Sequence, residues 1–220
     1  MSKSEYDRKY FEELYGTKIP FYKKYLSKKN VLVEKALKRH VGKGRLLDVG
    51  CGDGSLMRFF SKDFEVYGID ISGYIIDSIK NRDGNARVEV CDIEKDAVPF
   101  KQEFDVIFMW NIVEHLHDPE AVLKKITENL TEEGMLVLHL PTKNNILSRF
   151  EYWLVWDMLF RDPTHIYIKP IKEVNKMIQD AGYEIIDYYS GQFIPFFLTK
   201  NPLILNSACQ YLVFLKKKKG

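Results

Sequence analysis

An α/β fold built on an open parallel sheet is predicted by three observations. A short apolar run, Leu46-Leu47-Asp48-Val49, breaks into Gly50, Gly52 and Gly54 at alternate positions and then resumes as helix-like sequence. Two further apolar runs, Val66 to Ser72 and Val88 to Ile93, carry an acid at or near their ends, Asp70 and Asp92. Segments of helical periodicity separate these runs, so strands and helices alternate. At 220 residues the chain fits one domain, 1–220, able to bury about 70% of its unfolded surface.

Taken in order, residues 4–41 read as helical, with Tyr10, Phe11, Leu14 and Tyr15 forming one apolar stripe and Val31, Leu32, Ala36 and Leu37 another. Pro20 marks the break between them. Gly42-Lys43-Gly44 is a turn, the first strand follows, and Ser55 to Phe60 begins the helix after the glycine loop. Ser72 is the expected N-cap of a helix over Gly73 to Lys80, and Asn81 to Asn85 the turn before the third strand. Glu94 to Gln102, with Pro99, is a loop. Residues 104–110 form a fourth strand, apolar enough to be buried on both faces. Asp118-Pro119 opens a helix running to about Leu130, because proline in the first turn has no N–H to waste. Gly134 to Leu140 is the fifth strand.

Asn145 to Arg161 then interrupts the alternation with Phe150, Trp153, Trp156 and Phe160 among aliphatic residues. Too short and too charged for a bilayer span, it reads as an inserted aromatic amphipathic helix over residues 144–162. Ile171 to Ala181 is a helix ended by Gly182, which suits a C′ position. Tyr183 to Tyr189 and Ala208 to Leu215 are the last two strands, joined by a long apolar connection over Gln192 to Asn206.

Composition narrows the class. A formal net charge of +2 does not advertise a polyanionic partner, although Lys23 to Arg45 and Lys216 to Lys219 are locally basic. These runs are read first as solvated faces, with a membrane surface or nucleic acid as the other occupants. The 14% aromatic content is high, and the surplus is expected to line a pocket. Cys51, Cys91 and Cys209 lack metal-ligand spacing and leave one over in any pairing, so reduced thiols, a cytoplasmic location and no bound metal are expected. The start of the chain has no apolar signal core.

The glycine loop is expected to carry a ligand, because glycines at 50, 52 and 54 admit positive φ and let a ligand lie on the main chain. A dinucleotide pyrophosphate wants G-x-G-x-x-G and no nearby carboxylate. Here the third glycine comes one residue early and Asp48 stands at the strand end. That carboxylate favours a cation, by roughly 3 kcal/mol at about 5 Å and an effective dielectric near 20. Asp70, twenty residues after Gly50, stands where an open α/β fold accepts hydrogen bonds from a ribose. Asp92 is suited to an exocyclic adenine amine. A cationic nucleoside satisfies all three, and S-adenosylmethionine is one.

With these motifs in order, the sequence resembles the class I S-adenosylmethionine-dependent methyltransferases, and Phe104 to Leu116, ending Glu114-His115-Leu116, looks like the fourth motif of that family. The Glu-His-Leu subgroup includes ubiquinone- and menaquinone-type small-molecule enzymes, and the resemblance covers about residues 40–190. It implies a Rossmann-like three-layer sandwich with a seven-stranded, mostly parallel sheet of order 3-2-1-4-5-7-6, strand 7 antiparallel. It implies cofactor contacts from Asp48, Gly50, Cys51, Gly52, Gly54, Asp70, Ile71, Asp92, Ile93, Trp110 and Asn111, with the helix after the loop receiving the methionine carboxylate. N-terminal helices placing Tyr6, Tyr10 or Tyr15 at the methionine end, and the insertion as a lid over an apolar acceptor, follow from the same resemblance; core packing is the competing role for both.

Trp110 is a candidate cation–π partner for the sulfonium or a residue packed beneath the ligand, and Asn111 a candidate for holding cofactor or acceptor. His115 and His165 are the candidate catalytic bases, since both sit on loops expected at the ligand-binding edge of the sheet. The motif that many base-amino methyltransferases carry after the fourth strand is replaced by Asn111-Ile112-Val113-Glu114, which turns the expectation from nucleic acid to a small, apolar or lipid-like acceptor methylated on oxygen, with nitrogen second. Peripheral membrane contact is compatible with that acceptor. The rival readings are an NAD-dependent oxidoreductase or epimerase, which Asp48 and the glycine spacing oppose, a non-catalytic S-adenosylmethionine-binding module, and a nucleic-acid-binding protein using its basic N-terminal helices.

Overall fold

A computed structural model describes residues 30–154, 164–192, 197–200 and 208–218. The expected N-terminal helix up to residue 29, with Tyr6, Tyr10 and Tyr15, lies outside the described residues, as do Trp156 and Phe160 of the insertion. Two compact units divide within the fourth strand, one reaching Ile107 and the other starting at Phe108.

In the first unit a helix, α1, covers residues 30–37, burying Val33, Ala36 and Leu37 on one stripe. β1 (Gly44–Val49), β2 (Phe64–Asp70) and β3 (Arg87–Val90) are parallel, with Val49 opposite Ile69 and Asp70 opposite Val90. Parallel pairing needs crossovers, which α2 (Ser55–Phe60) and α3 (Gly73–Arg82) provide. Gly68 of β2 is glycine for lack of room: a Cβ there would lie 2.6 Å from Met57 Sδ and 3.0 Å from Cys51 Cβ. Arg45 N–H donates to Asp105 Oδ2 at 2.8 Å, which ties the entry of β1 to the start of β4 (Phe104–Trp110). The local basic charge is partly paired: Lys38 reaches Glu34 at 2.9 Å and Asp63 at 3.3 Å.

The second unit continues from β4 into a 3-10 turn at Val113–His115, then α4 (Pro119–Ile126) and a long β5 (Leu130–Pro141). α4 starts as expected, with Asp118 Oδ1 accepting from Ala121 N–H at 3.0 Å and Pro119 in the first turn. Replacing Asp118 by alanine should cost about 1 kcal/mol, a drop in Tm of roughly 2–4 °C for a chain of this size, measurable by thermal unfolding. α5 (Ile146–Tyr152) begins with a capping box between Asn145 and Ser148, and α6 (Ile171–Asp180) is followed by Gly182 at φ 88°. β8 (Gln210–Lys217) runs antiparallel to both β5 and β6 (Tyr183–Gln192), and its Tyr211 to Leu215 are buried, as a strand with neighbours on each side requires.

The strand order is β3-β2-β1-β4-β5-β8-β6-β7, the last being the short Phe197–Thr199. Counting β8 as the seventh predicted strand, this is the expected 3-2-1-4-5-7-6 order with its antiparallel member. Two expectations are corrected. The helix from Pro119 ends at Ile126 in a 3-10 turn, Thr127–Asn129, so β5 starts at Leu130 and not at Gly134. The connection after Gln192 is not free of strand, because β7 (Phe197–Thr199) pairs antiparallel with Ser190 to Gln192 at the sheet edge. Three residues are too few to show a period of two, which is why the sequence hid it.

Candidate functional site

The glycine loop after β1 is built as its spacing requires. Gly50, Gly52 and Gly54 take φ of 73°, 49° and 71°, a region a Cβ disfavours. Gly50 and Cys51 N–H both donate to the Ile69 carbonyl, at 2.7 and 3.0 Å, so the loop is stitched to the end of β2. Asp70 completes the stitching. Its Oδ2 accepts from Gly52 N–H at 3.0 Å and its Oδ1 from Ser72 N–H at 2.9 Å, so one carboxylate orients both the loop and the N-cap of α3. A carboxylate has about four acceptor directions, so its main-chain donors do not saturate it.

Electrostatics at this loop are those of buried acids. Asp48 is 2% exposed and Asp70 7%. Burial, then the neighbouring charges of Asp70 and Asp53, push the Asp48 carboxyl well above the usual range. Burial also raises Asp70, and the N–H groups of Ser72, Gly52 and Ile71 pull it back in part. Asp48 is therefore held toward its neutral form. Cys51 contributes main chain alone: its thiol is pushed up by burial and packs with Met57, Ile75, Ile76, Ile79 and Val88.

Asp92 follows β3, whose end is fixed by Cys91 N–H donating to the Asp70 carbonyl at 2.9 Å. Its carboxylate already accepts from Glu94 N–H at 3.2 Å and Lys95 Nζ at 2.5 Å. Burial works to raise Asp92, but the Lys95 bond and charge bring it below the usual range, so it is ionised. Ile93 is buried and Ile71 half-buried beside these acids. Thus the structure groups Asp48, the three glycines, Asp70, Ile71, Asp92 and Ile93 in the first unit; Trp110, Asn111, His115 and His165 belong to the second.

In that second unit Asn111 takes φ 53°, the one positive value outside glycine among the described residues. Such a turn away from the strand needs a holder. Asn111 N–H donates to the His139 carbonyl at 2.8 Å, and His139 Nδ1 lies 2.5 Å from Asn111 Oδ1. The His139 ring, fully buried in β5, stacks on Trp110 with centroids 4.6 Å apart and planes at 16°, while its Nε2 faces Gln210 Oε1 at 3.3 Å. One face of Trp110 is thereby taken by an imidazole. His139 and Gln210 were not foreseen, although a lone histidine between Leu138 and Leu140 on an otherwise apolar strand was the available signal.

His115 and His165 come together. Their rings meet edge to face with centroids 4.8 Å apart. His115 Nδ1 lies 3.2 Å from the Thr164 carbonyl and 2.9 Å from Thr164 Oγ1, and His165 Nδ1 lies 2.6 Å from Tyr152 Oη. Ile166 and Tyr167 N–H both donate to the Glu114 carbonyl, at 2.8 and 2.9 Å, which brings residues 164–167 onto the 3-10 turn. Glu114 itself is fully buried, a role its place in the motif did not announce. Lys143 Nζ sits 3.7 Å above the Tyr152 ring. On α5 the buried side carries Ser148, Glu151 and Tyr152, while Ile146, Leu147, Phe150 and the following Trp153 are exposed, Ile146 by 86%. None of the described helices is long and apolar enough to cross a membrane.

Comparison with known proteins agrees with this construction. A family model described as a methyltransferase domain matches residues 22–188. The chain is similar to the juvenile hormone acid O-methyltransferase of Bombyx mori, at 31% identity over 65% of this chain and 58% of that protein. It is similar also to the ubiquinone biosynthesis O-methyltransferase of Coxiella burnetii, at 29% identity over 68% of each. Among solved structures, the plantazolicin methyltransferase in complex with a triazolic desmethylPZN analog and SAH superposes with a TM-score of 0.69 at 17% identity, covering 96% of this chain and 91% of that one, a likeness of fold.

Proposed function

The chain belongs to the methyltransferase-domain family, and from that premise we propose that it transfers a methyl group from S-adenosylmethionine to an oxygen of a small, apolar or lipid-like acceptor, nitrogen being the second choice. The observation that carries the reading is the Asp70 carboxylate, which ties the glycine loop, through Gly52 N–H, to the N-cap of α3, through Ser72 N–H, and keeps acceptor capacity for a ribose hydroxyl. Asp92, ionised and buried at the end of the neighbouring strand, accepts from the adenine amine, with Ile71 and Ile93 against the base. Gly50, Cys51, Gly52 and Gly54 offer main chain to the ligand, Asp48 its countercharge, and Trp110 and Asn111 the strand-end contacts. S-Adenosylmethionine supplies a methyl group already activated on sulfur. The protein's own work is then to hold the acceptor atom in line, which is worth roughly 7–11 kcal/mol of barrier.

The acceptor's proton is assigned to the cluster around His115 and His165, the two imidazoles that share a wall with buried Glu114. An apolar acceptor is supported by the exposed Ile146, Leu147, Phe150 and Trp153 of the insertion and by the names of the two sequence relatives, both O-methyltransferases. The same apolar face suits peripheral contact with a membrane that stores such an acceptor.

The experiment is incubation of the purified protein with S-adenosylmethionine and a panel of apolar carboxylic acids, phenols and amines. Release of S-adenosylhomocysteine and the mass of the product are followed. A product heavier by one methyl on oxygen is expected. Binding of the cofactor without turnover of any acceptor would leave a non-catalytic module, and NADH binding in its place would leave an oxidoreductase.

A further inference from the structure

We propose that Glu114, His115 and His165 form a binding site for one divalent transition-metal ion of the zinc or cobalt class. Each of the three offers one ligand atom, and these atoms all lie within 4.8 Å of one another. A zinc ion 2.0–2.2 Å from each ligand holds them roughly 3.3–3.6 Å apart, a contraction that side-chain rotation covers. Two imidazoles and one carboxylate are a donor set of that class, and three protein ligands leave positions open for water or an acceptor oxygen.

The surroundings are those of a metal site rather than of a chance cluster. Glu114 and His115 are adjacent on one 3-10 turn, and His165 is delivered to them by the two backbone bonds that residues 166 and 167 make to the Glu114 carbonyl. Metal-bound histidines characteristically donate their other nitrogen to a carbonyl, carboxylate or hydroxyl, which fixes ring orientation and tautomer. His115 Nδ1 lies within hydrogen-bond distance of Thr164, and His165 Nδ1 within that of Tyr152 Oη. Either bond, with Nδ1 carrying the proton, puts the ring lone pair on Nε2, the atom a metal takes.

The catalytic consequence rests on the methyltransferase reading above, but the binding does not. A metal held there would acidify a coordinated acceptor hydroxyl: its proton would pass to water, its oxygen would take the methyl group, and the sulfonium sulfur would keep the C–S electron pair as a thioether. On this inference the His115–His165 cluster deals with the acceptor's proton through the metal it holds, not by taking it on an imidazole.

The test uses the full chain stripped with a chelator, then titrated with Co²⁺ by visible absorption and with Zn²⁺ by calorimetry. One equivalent bound is expected, with at least 10-fold weaker binding in both Glu114→Gln and His165→Ala, and a loss on the order of 10-fold in Tyr152→Phe through the supporting bond. His40→Ala, an exposed histidine in the other unit, should bind as the parent does. Circular dichroism establishes that each variant is folded, and Tyr152→Phe keeps the test decisive if a ligand variant is not. Absence of saturable binding to the parent, or binding undiminished in Glu114→Gln and His165→Ala alike, overturns the site. S-Adenosylmethionine binding measured in parallel separates the two readings: cobalt binding lost with the cofactor still bound removes this site alone, and cobalt bound with no cofactor affinity removes only the methyltransferase assignment.

Discussion

Replacing Asp70 by alanine is expected to weaken S-adenosylmethionine binding about 10- to 100-fold, or roughly 1.4–2.8 kcal/mol. Two losses add. The ribose loses a charged acceptor, a bond of that kind being worth about 1.5–3 kcal/mol net of water. The loop loses its brace as well, because Gly52 N–H and Ser72 N–H both donate to this carboxylate. Asp70→Asn keeps one acceptor and introduces a donor facing two N–H groups, so it should recover little. Calorimetric titration of the cofactor measures both, and an unchanged affinity in the alanine variant removes the ribose assignment. Thermal unfolding without cofactor separates the local loosening from the lost contact.

The glycine loop was legible because its physics is local. Alternate glycines demand positive φ, and all three have it; an acid at the end of an apolar run marks a strand whose polar end meets solvent or ligand. The same locality made Ser72, Asp118 and Gly182 readable as caps, since each works on its own neighbours in sequence. What stayed hidden depended on distant partners. Nothing near Gln210 in sequence says that it faces His139, 71 positions away, and nothing near Thr164 says that it orients His115, 49 positions away. The motif Glu114-His115-Leu116 gives no sign that Glu114 is buried, because burial of an acid is decided by the segment that covers it.

Charge was the subtler miss. From sequence, Asp48 reads as a standing negative charge that attracts a cation; in the fold its burial opposes ionisation, so the attraction and the cost of producing the charge arise together. Asp92, by contrast, is ionised by its own Lys95 before any ligand arrives.

The second large effect follows from that coupling, and it has two opposite signs. For Asp48 the folded-state pKa is raised above its unfolded value, so the folded chain binds the proton more tightly than the unfolded chain. Below the unfolded value of about 3.9 both states are protonated and nothing is lost. As pH rises past it, the unfolded chain ionises first and stability falls until the folded carboxyl also ionises. Asp48→Asn removes this penalty, so the cofactor-free variant should unfold at a higher temperature than the parent at pH 7, by roughly 2–4 °C for each kcal/mol recovered, with the gap closing toward pH 4. If Asp48 is the ligand's countercharge, as proposed, the same substitution should cost up to roughly 3 kcal/mol at about 5 Å and an effective dielectric near 20, or about 100-fold in affinity. In the parent, binding the cation must expel the Asp48 proton, so affinity should rise with pH by up to about tenfold per unit until the carboxyl is ionised in the free protein; in Asp48→Asn that slope should vanish. Calorimetry in buffers of different ionisation enthalpy reads the expelled proton directly. Equal proton release in parent and variant, or a variant no more stable than the parent at pH 7, would place the charge that meets the cofactor on another residue.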